Sequence, residues 1–241
     1  MKIVGVIPVR YDSQRFPGKA LFKIAGRTVL EHVYERACRY SNFDRLIVAT
    51  DDARIEECAR DLGAECFISK KSHTCGSERA AEATARLKTD IVVNIQGDEV
   101  LLRPEMITAA VRAVRSDPSI SCGTICHTIE SDDDFANEDL VKVVIDRKNF
   151  AMYFSRSPIP NSGDRQIRLG HVGIYAFRKE ALQRFARIKP TPYEKTERLE
   201  QLRLIESGMK IKVNLTKLKN FSLNREQDIP HIMKFLQQER R

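Results

Sequence analysis

Three short stretches carry residue types and spacings from which chemistry can be built. The first is Pro8-Val9-Arg10-Tyr11-Asp12-Ser13-Gln14-Arg15-Phe16-Pro17-Gly18-Lys19. Arg10, Arg15 and Lys19 supply three cations, and Gly18 opens main-chain N–H groups to the oxygens of a ligand. That combination suits a polyphosphate, whose charge the cations neutralise. Taken alone, the stretch reads equally well as a solvated basic loop. It matches neither the Walker pattern nor Gly-x-Gly-x-x-Gly, so it is neither an ATPase loop nor a dinucleotide fingerprint. The second stretch is Gln96-Gly97-Asp98-Glu99. A carboxylate there, facing a phosphate cradle, would anchor Mg²⁺, which takes one or two carboxylates and completes its shell with phosphate and water oxygens. The alternative is a solvated acidic turn; Gly97 and two acids directly after an apolar run favour the metal. The third stretch is His73-Thr74-Cys75-Gly76-Ser77-Glu78-Arg79. Ser77 is suited to cap a helix, and Gly76 permits close approach of a base or ribose. The bland alternative is an ordinary helix start with His73 on the surface.

The elements that must position these stretches follow from periodicity. Ile3-Val4-Gly5-Val6-Ile7 reads as a buried strand leading into the first stretch, and Ile91 to Ile95 as another leading into the second. Between them lie a helix over roughly Val29 to Tyr40, a strand at Leu46–Thr50 and a helix from Asp52 to Leu62 stopped by Gly63. A short strand at Glu65–Ile68 and a helix from Ser77 to Leu87 follow. Pro104 opens a helix to Val114. This βαβα rhythm predicts a parallel sheet covered on both faces, with both ligand stretches at the carboxyl edge where open α/β sheets bind ligands. After about Ser116 the rhythm changes. Strands are predicted at Ser121–Thr128, Val141–Asp146, Met152–Ser155, Gly173–Phe177 and Lys210–Asn214, a loop at Pro158–Asp164, and one helix from Glu194 to Ser207. A last helix begins near Arg225, carries Pro230 in its first turns and frays over Gln237–Arg241. The expected organisation is one domain over residues 1–241, with an insertion at about 120–215 that lays a mixed sheet beside the parallel one.

A chain of 241 residues with 42% hydrophobic and 31% charged residues is long enough for a good core and ordinary for a soluble protein. No apolar run approaches the roughly 20 residues that cross a bilayer. The first residues run straight into a strand without a signal-peptide pattern, so a cytoplasmic location is expected. The net charge is +8, but 33 acidic residues are mixed among 41 basic ones and no basic block stands apart. That argues against a nucleic-acid binder and for attraction of small anions or simple solubility. The cysteines Cys38, Cys58, Cys66, Cys75, Cys122 and Cys126 form no Cys-x-x-Cys pair. Cys122-x3-Cys126-His127 lacks a second ligand pair for zinc, and reduced thiols are expected.

Taken in order, these stretches resemble a known family, the CMP-KDO synthetases (3-deoxy-manno-octulosonate cytidylyltransferases). The family opening I-P-A-R-x-x-S-x-R-x-P-G-K-x-L matches Ile7 to Leu21 with Val9 for alanine. V-A-T-D matches Val48 to Asp51, and H-x-S-G-[ST]-[ED]-R matches His73 to Arg79 with Cys75 for serine. N-x-Q-G-D-E-P matches Asn94 to Glu99, with Val100 for proline. V-K-V-V-x-D and Y-F-S-R-x-x-I-P are intact at Val141–Asp146 and Tyr153–Pro160, H-x-G-I-Y-x-[FY]-R at His171–Arg178, and L-E-Q-L-R at Leu199–Arg203. The resemblance implies an α/β, Rossmann-like nucleotidyltransferase fold of the glycosyltransferase-A type, with a mostly parallel central sheet and a smaller inserted mixed sheet that helps build a homodimer and the sugar pocket. It implies a cytoplasmic enzyme of lipopolysaccharide biosynthesis that uses CTP, Mg²⁺ and an anionic acceptor, with no nucleic-acid or membrane partner. Arg10, Arg15 and Lys19 would hold the CTP phosphates. Pro8, Ser13, Ser77, Arg79 and the backbone from His73 to Gly76 would complete the nucleotide site. Asp98 would bind the metal, and Gln96, Arg156, His171, Tyr175, Glu200 and Gln201 would surround the acid sugar. Arg15, Lys19 and Asp98 would be the catalytic set.

One departure bears on the metal. The family ends in V-D-T-x-E-D-L, whose first aspartate is the second metal ligand; here Leu223-Asn224-Arg225-Glu226-Gln227-Asp228-Ile229 puts Asn224 in its place. A neutral amide oxygen can still ligate, but Mg²⁺ prefers carboxylate. Three accounts follow: the acceptor supplies the missing ligand, Asp228 substitutes by a local shift, or activity is reduced or lost. The expected reaction is CMP transfer from CTP to KDO. Its alternatives are a sister cytidylyltransferase for another keto-acid sugar or a phosphonate, and a catalytically silent nucleotide-binding homologue.

Overall fold

The structure is a computed structural model that describes residues 1–13, 15–161, 163–218 and 221–239. Gln14, Ser162 and the last two residues of the expected C-terminal helix lie outside the described residues. In chain order the elements are β1 (Ile3–Pro8), β2 (Lys23–Ile24), β3 (Arg27–Thr28), α1 (Val29–Cys38), β4 (Arg45–Thr50), α2 (Ala53–Asp61), β5 (Glu65–Ile68), α3 (Gly76–Thr84), β6 (Ile91–Ile95) and α4 (Pro104–Arg115). There follow β7 (Cys122–Thr128), α5 (Asp132–Ala136), β8 (Lys142–Ile145), β9 (Ala151–Ser155), β10 (Leu169–Arg178), α6 (Lys179–Phe185), α7 (Pro192–Glu197), α8 (Gln201–Glu206), β11 (Ile211–Leu215) and α9 (Ile229–Gln238). They form two compact units, one of Met1–Pro104 with Asn220–Arg241, the other of Glu105–Lys219.

The first unit holds a parallel sheet in the order β6-β1-β4-β5. Every residue of β1 and β6 is buried, as expected for strands covered on both faces. Val29, Leu30, Val33 and Ala37 form the fully buried face of α1. That helix starts in a capping box: Thr28 Oγ1 accepts from Glu31 N, and Glu31 Oε2 accepts from Thr28 N. The signature Thr-x-x-Glu was readable in the sequence, as was Pro230 in the first turn of α9. The small hairpin β2–β3 was not expected.

The second unit places β7 between β11, which runs parallel to it, and β10, which runs antiparallel. Strand β8 pairs with β10 at Leu169 and Gly170, and with β9 along its length. Strand β10 begins four residues earlier than the expected Gly173, and α5 and α6 were not foreseen. Gly123 lets β7 lie against α4, since a Cβ there would sit 2.4 Å from the Ala110 carbonyl oxygen.

The expected helix from Glu194 to Ser207 is two helices, α7 and α8, broken where Arg198 takes φ 57°. The reason is an ion pair. Arg203 donates to Glu194 through Nε (2.7 Å) and Nη2 (2.5 Å), with Arg203 fully buried. Residues nine apart on a straight helix lie about 13.5 Å apart along the axis, out of reach of one another. Arg203 Nη1 donates to the Ile188 carbonyl, and its guanidinium stacks on Phe185. Removing one member of such a pair leaves a buried charge. Glu194→Ala is expected to cost about 3–5 kcal/mol, read as a lower urea midpoint; a midpoint within experimental error of the parent would refute this account of the helix break.

Candidate active site

In the first unit, both ligand stretches emerge from adjacent parallel strands, β1 and β6. Their ends are packed closely. A Cβ on Gly76 would meet Pro8 Cγ at 3.0 Å and the Gln96 amide at 3.2 Å, and one on Gly97 would meet Val9 Cγ2 at 3.1 Å. Pro8, Gly76 and Gln96 are thus brought together by residues too small to hold them apart. The first loop turns at Gly18, whose φ of 70° favours glycine and whose N–H donates to the Tyr11 carbonyl. The turn delivers Lys19 inward, where Nζ donates to Asp98 Oδ2 (2.6 Å) and to the Leu223 carbonyl (2.8 Å).

The segment 222–228 is tied to the same edge. Leu223 N donates to the Asp98 carbonyl, and Ser222 Oγ donates to Glu99 Oε1. Glu99 is buried, so the two acids of the Asp98-Glu99 pair differ: Glu99 serves the fold, while Asp98 is partly open beside Lys19. Asn224 Oδ1 accepts from Arg15 Nη2 at 3.0 Å. Asp228 Oδ2 accepts from both Asn224 N (2.7 Å) and Arg225 N (2.8 Å) and so holds the turn. Arg10 and Arg15 are exposed, and Ser13 N donates to the Tyr11 carbonyl.

The third stretch differs from its expected form. Helix α3 begins at Gly76 with Cys75 at the N-cap, so Ser77 is not the cap but lies one residue inside the helix. Its side chain is buried, and Oγ accepts from Asn94 Nδ2 on β6. His73 is not a bare surface residue: its Nε2 bonds Glu82 at 2.7 Å. The Arg79 guanidinium is buried and donates to Asp51, holding the Asp51 carboxyl below the usual carboxylate range.

The second unit carries Arg156, His171, Tyr175, Glu200 and Gln201. His171 and Tyr175 lie on β10 with ring centroids 5.2 Å apart, on either side of a register shift between Val172 and Tyr175. Thr124 braces that bulge: its hydroxyl donates to the Ile174 carbonyl at 2.8 Å. With its proton so used, Oγ1 accepts from His171 Nε2 at 2.9 Å, so Nε2 is the protonated nitrogen. Phe154 packs edge-on against the same imidazole. Glu200 is the N-cap of α8 and Gln201 its first, buried, residue. Arg156 follows β9. Its amide N donates to Glu197 Oε2, its Nε to the Glu197 carbonyl and its Nη1 to the Glu138 carbonyl, each at 3.0 Å. Two residues beside it, Lys142 and Glu197, were not singled out from the sequence. The only local sign of Lys142 is a cation among the valines of β8.

Burial pushes the His171 imidazole down from 6.5 to about 3, with His127 adding repulsion. An unfolded chain takes up a proton near pH 6.5 that the folded chain refuses until about pH 3. Stability therefore falls as pH drops through that window, by up to about 1.4 kcal/mol per pH unit for this group. His171→Gln is expected to lose less stability than the parent between pH 6.5 and 4 in urea titrations; equal losses would refute the assignment.

The sequence model of the cytidylyltransferase family matches residues 4–211. The 3-deoxy-manno-octulosonate cytidylyltransferase of Geobacter metallireducens is 42% identical over 98% of this chain and 98% of its own. That of Nitratidesulfovibrio vulgaris is 44% identical over 97% and 96%. A solved CMP:2-keto-3-deoxy-manno-octonic acid synthetase complexed with CTP superposes with a TM-score of 0.90 at 36% identity, covering 99% of this chain and all of that one. The 4-diphosphocytidyl-2C-methyl-D-erythritol synthase of Anaerococcus prevotii, at 15% identity and TM-score 0.66, shares the fold.

Proposed function

Because the chain belongs to the cytidylyltransferase family, we propose that it transfers CMP from CTP to 3-deoxy-manno-octulosonate (KDO), releasing pyrophosphate. The observation that carries the reading is the Lys19 ammonium held at Asp98, between two strand ends that present a cationic loop and a carboxylate to one edge. Lys19 lies where charge would gather on a phosphate tail, and exposed Arg10 and Arg15 stand on the same loop. The acceptor hydroxyl oxygen bonds to the α-phosphorus, the bond from that phosphorus to the bridging oxygen breaks, and the hydroxyl proton passes to solvent. Arg15 and Lys19 stabilise the charge on the departing pyrophosphate, so catalysis is positioning and electrostatics. Pro8, Ser13, Gly76, Ser77 and the backbone at His73 line the nucleotide. Arg79 acts from behind, through its pair with Asp51. The proposed acid-sugar ligands are Gln96 in the first unit and Arg156, His171, Tyr175, Glu200 and Gln201 in the second.

The donor set fits Mg²⁺: Asp98 offers a carboxylate and Asn224 an amide oxygen, and each already accepts a hydrogen bond from a cationic side chain. Bound there, Mg²⁺ would supply further positive charge to the phosphate oxygens. Asp228 is occupied with the turn at Asn224 and Arg225, which favours Asn224 as the second ligand. The reading extends to a homodimer, for which exposed Met152 and Tyr193 in the second unit offer apolar surface. It extends also to a cytoplasmic role in lipopolysaccharide biosynthesis; among the described residues no helix is long and apolar enough to cross a membrane.

Pyrophosphate release with CTP, Mg²⁺ and a panel of acids tests the reading. Turnover with KDO is expected; turnover only with another keto-acid sugar or a phosphonate would overturn the acceptor, and none on any acid would overturn the activity. Lys19→Ala is expected to lower kcat by about 10²–10³-fold. Asn224→Asp is expected to lower the Mg²⁺ concentration for half-maximal rate; an unchanged requirement would remove Asn224 from the metal site.

A further inference from the structure

Lys142 is a fully buried cation in a strand otherwise made of Val143, Val144 and Ile145. A buried ammonium is costly unless its protons are bonded. Its partners are two main-chain carbonyls: Nζ donates to Asn137 O at 2.9 Å, at the end of α5, and to Arg156 O. Lys142 thus links the segment before β8 to the residue after β9. Burial pushes its pKa down from 10.5 to about 8, Arg156 adding repulsion and Glu138 and Glu197 opposing. A methionine would fill the same space without that cost, so packing alone does not account for a lysine.

Glu197 completes the link. Its carboxylate accepts from Ser155 Oγ (2.7 Å), from Tyr153 OH (3.5 Å) and from Arg156 N, and its carbonyl accepts from Arg156 Nε. Arg156 is therefore held at its carbonyl by Lys142, at its amide and Nε by Glu197, and at Nη1 by the Glu138 carbonyl. Glu197 is also the last residue of α7, directly before the left-handed Arg198 and the start of α8 at Glu200 and Gln201. One set of hydrogen bonds so fixes Arg156 and the turn that presents Glu200 and Gln201.

We infer that Lys142 and Glu197 are positioning residues for the anionic acceptor: they touch neither substrate, but lock the Arg156 fork and the α7–α8 turn in the arrangement that receives the acceptor's carboxylate. This rests on the reading of Arg156, Glu200 and Gln201 as acceptor ligands. A preorganised fork loses less entropy on binding, and the Lys142 charge behind it adds attraction for an anion in a region of low dielectric.

Steady-state kinetics test this, with KDO varied at saturating CTP and CTP varied at saturating KDO. Lys142→Met is expected to raise the KM for KDO by about 10–100-fold and to leave the KM for CTP within about twofold. Glu197→Gln keeps one acceptor oxygen and is expected to fall between the parent and Glu197→Ala, so the inference stands testable on Glu197 should Lys142→Met not fold. A parallel rise in both KM values, or a loss of kcat with both unchanged, marks a purely structural role and overturns the inference. Arg156→Ala separates the two levels. If it leaves the KM for KDO unchanged, the acceptor reading itself fails. If it raises that KM while Lys142→Met and Glu197→Gln do not, the positioning inference alone fails.

Discussion

A single ammonium holds together the edge on which the first unit's chemistry depends. Lys19 Nζ lies between the Asp98 carboxylate and the Leu223 carbonyl, so it fastens the loop after β1 to the turn after β6 and to the segment before α9. Two parallel strands can bring their carboxyl ends side by side, but they cannot fix the loops that leave those ends. A point charge with three donors can, because each bond constrains a different segment. Under the proposed function the same lysine would meet the leaving phosphate tail, and its pairing with Asp98, which fixes where the side chain points, would reduce the ordering needed on binding.

The second unit uses buried charge in a similar way. Arg203 with Glu194 folds α8 back on α7, and buried Lys142, with the half-buried Arg156 and Glu197, fixes the end of β9. Buried ions seldom add net stability over apolar residues of the same shape. What they provide here is direction: each guanidinium has partners on two or three segments, and only one arrangement satisfies them all. The bulge in β10 belongs with these features. Thr124 bonds both His171 and the Ile174 carbonyl, so two rings four residues apart are brought to one place on a strand.

Asn224 stands where the resemblance read from the sequence implies an aspartate. The amide oxygen is turned to Arg15 rather than left open, and Asp228 accepts from the N–H groups of Asn224 and Arg225. Under the proposed function, a neutral amide next to an arginine would leave a less negative pocket than two carboxylates, and an acceptor bearing its own negative charge would complement it.

The amino-acid sequence alone determined the alternation of strand and helix through β6, the parallel sheet, and the positions of the loops after β1 and β6. Those features rest on local physics, namely burial periodicity, a proline at a first helical position such as Pro104, and a stop such as Gly63. Tertiary structure decided what pairs with what at long range. Lys19 meets Leu223 across 204 residues, and Arg15 meets Asn224 across 209. Nor did any window announce that Ser77 would turn to Asn94 rather than cap a helix, or that Glu194 to Ser207 would break at Arg198. Helical propensity there favours one rod, whereas the buried Glu194–Arg203 pair forms only when the chain is broken at Arg198 and compact.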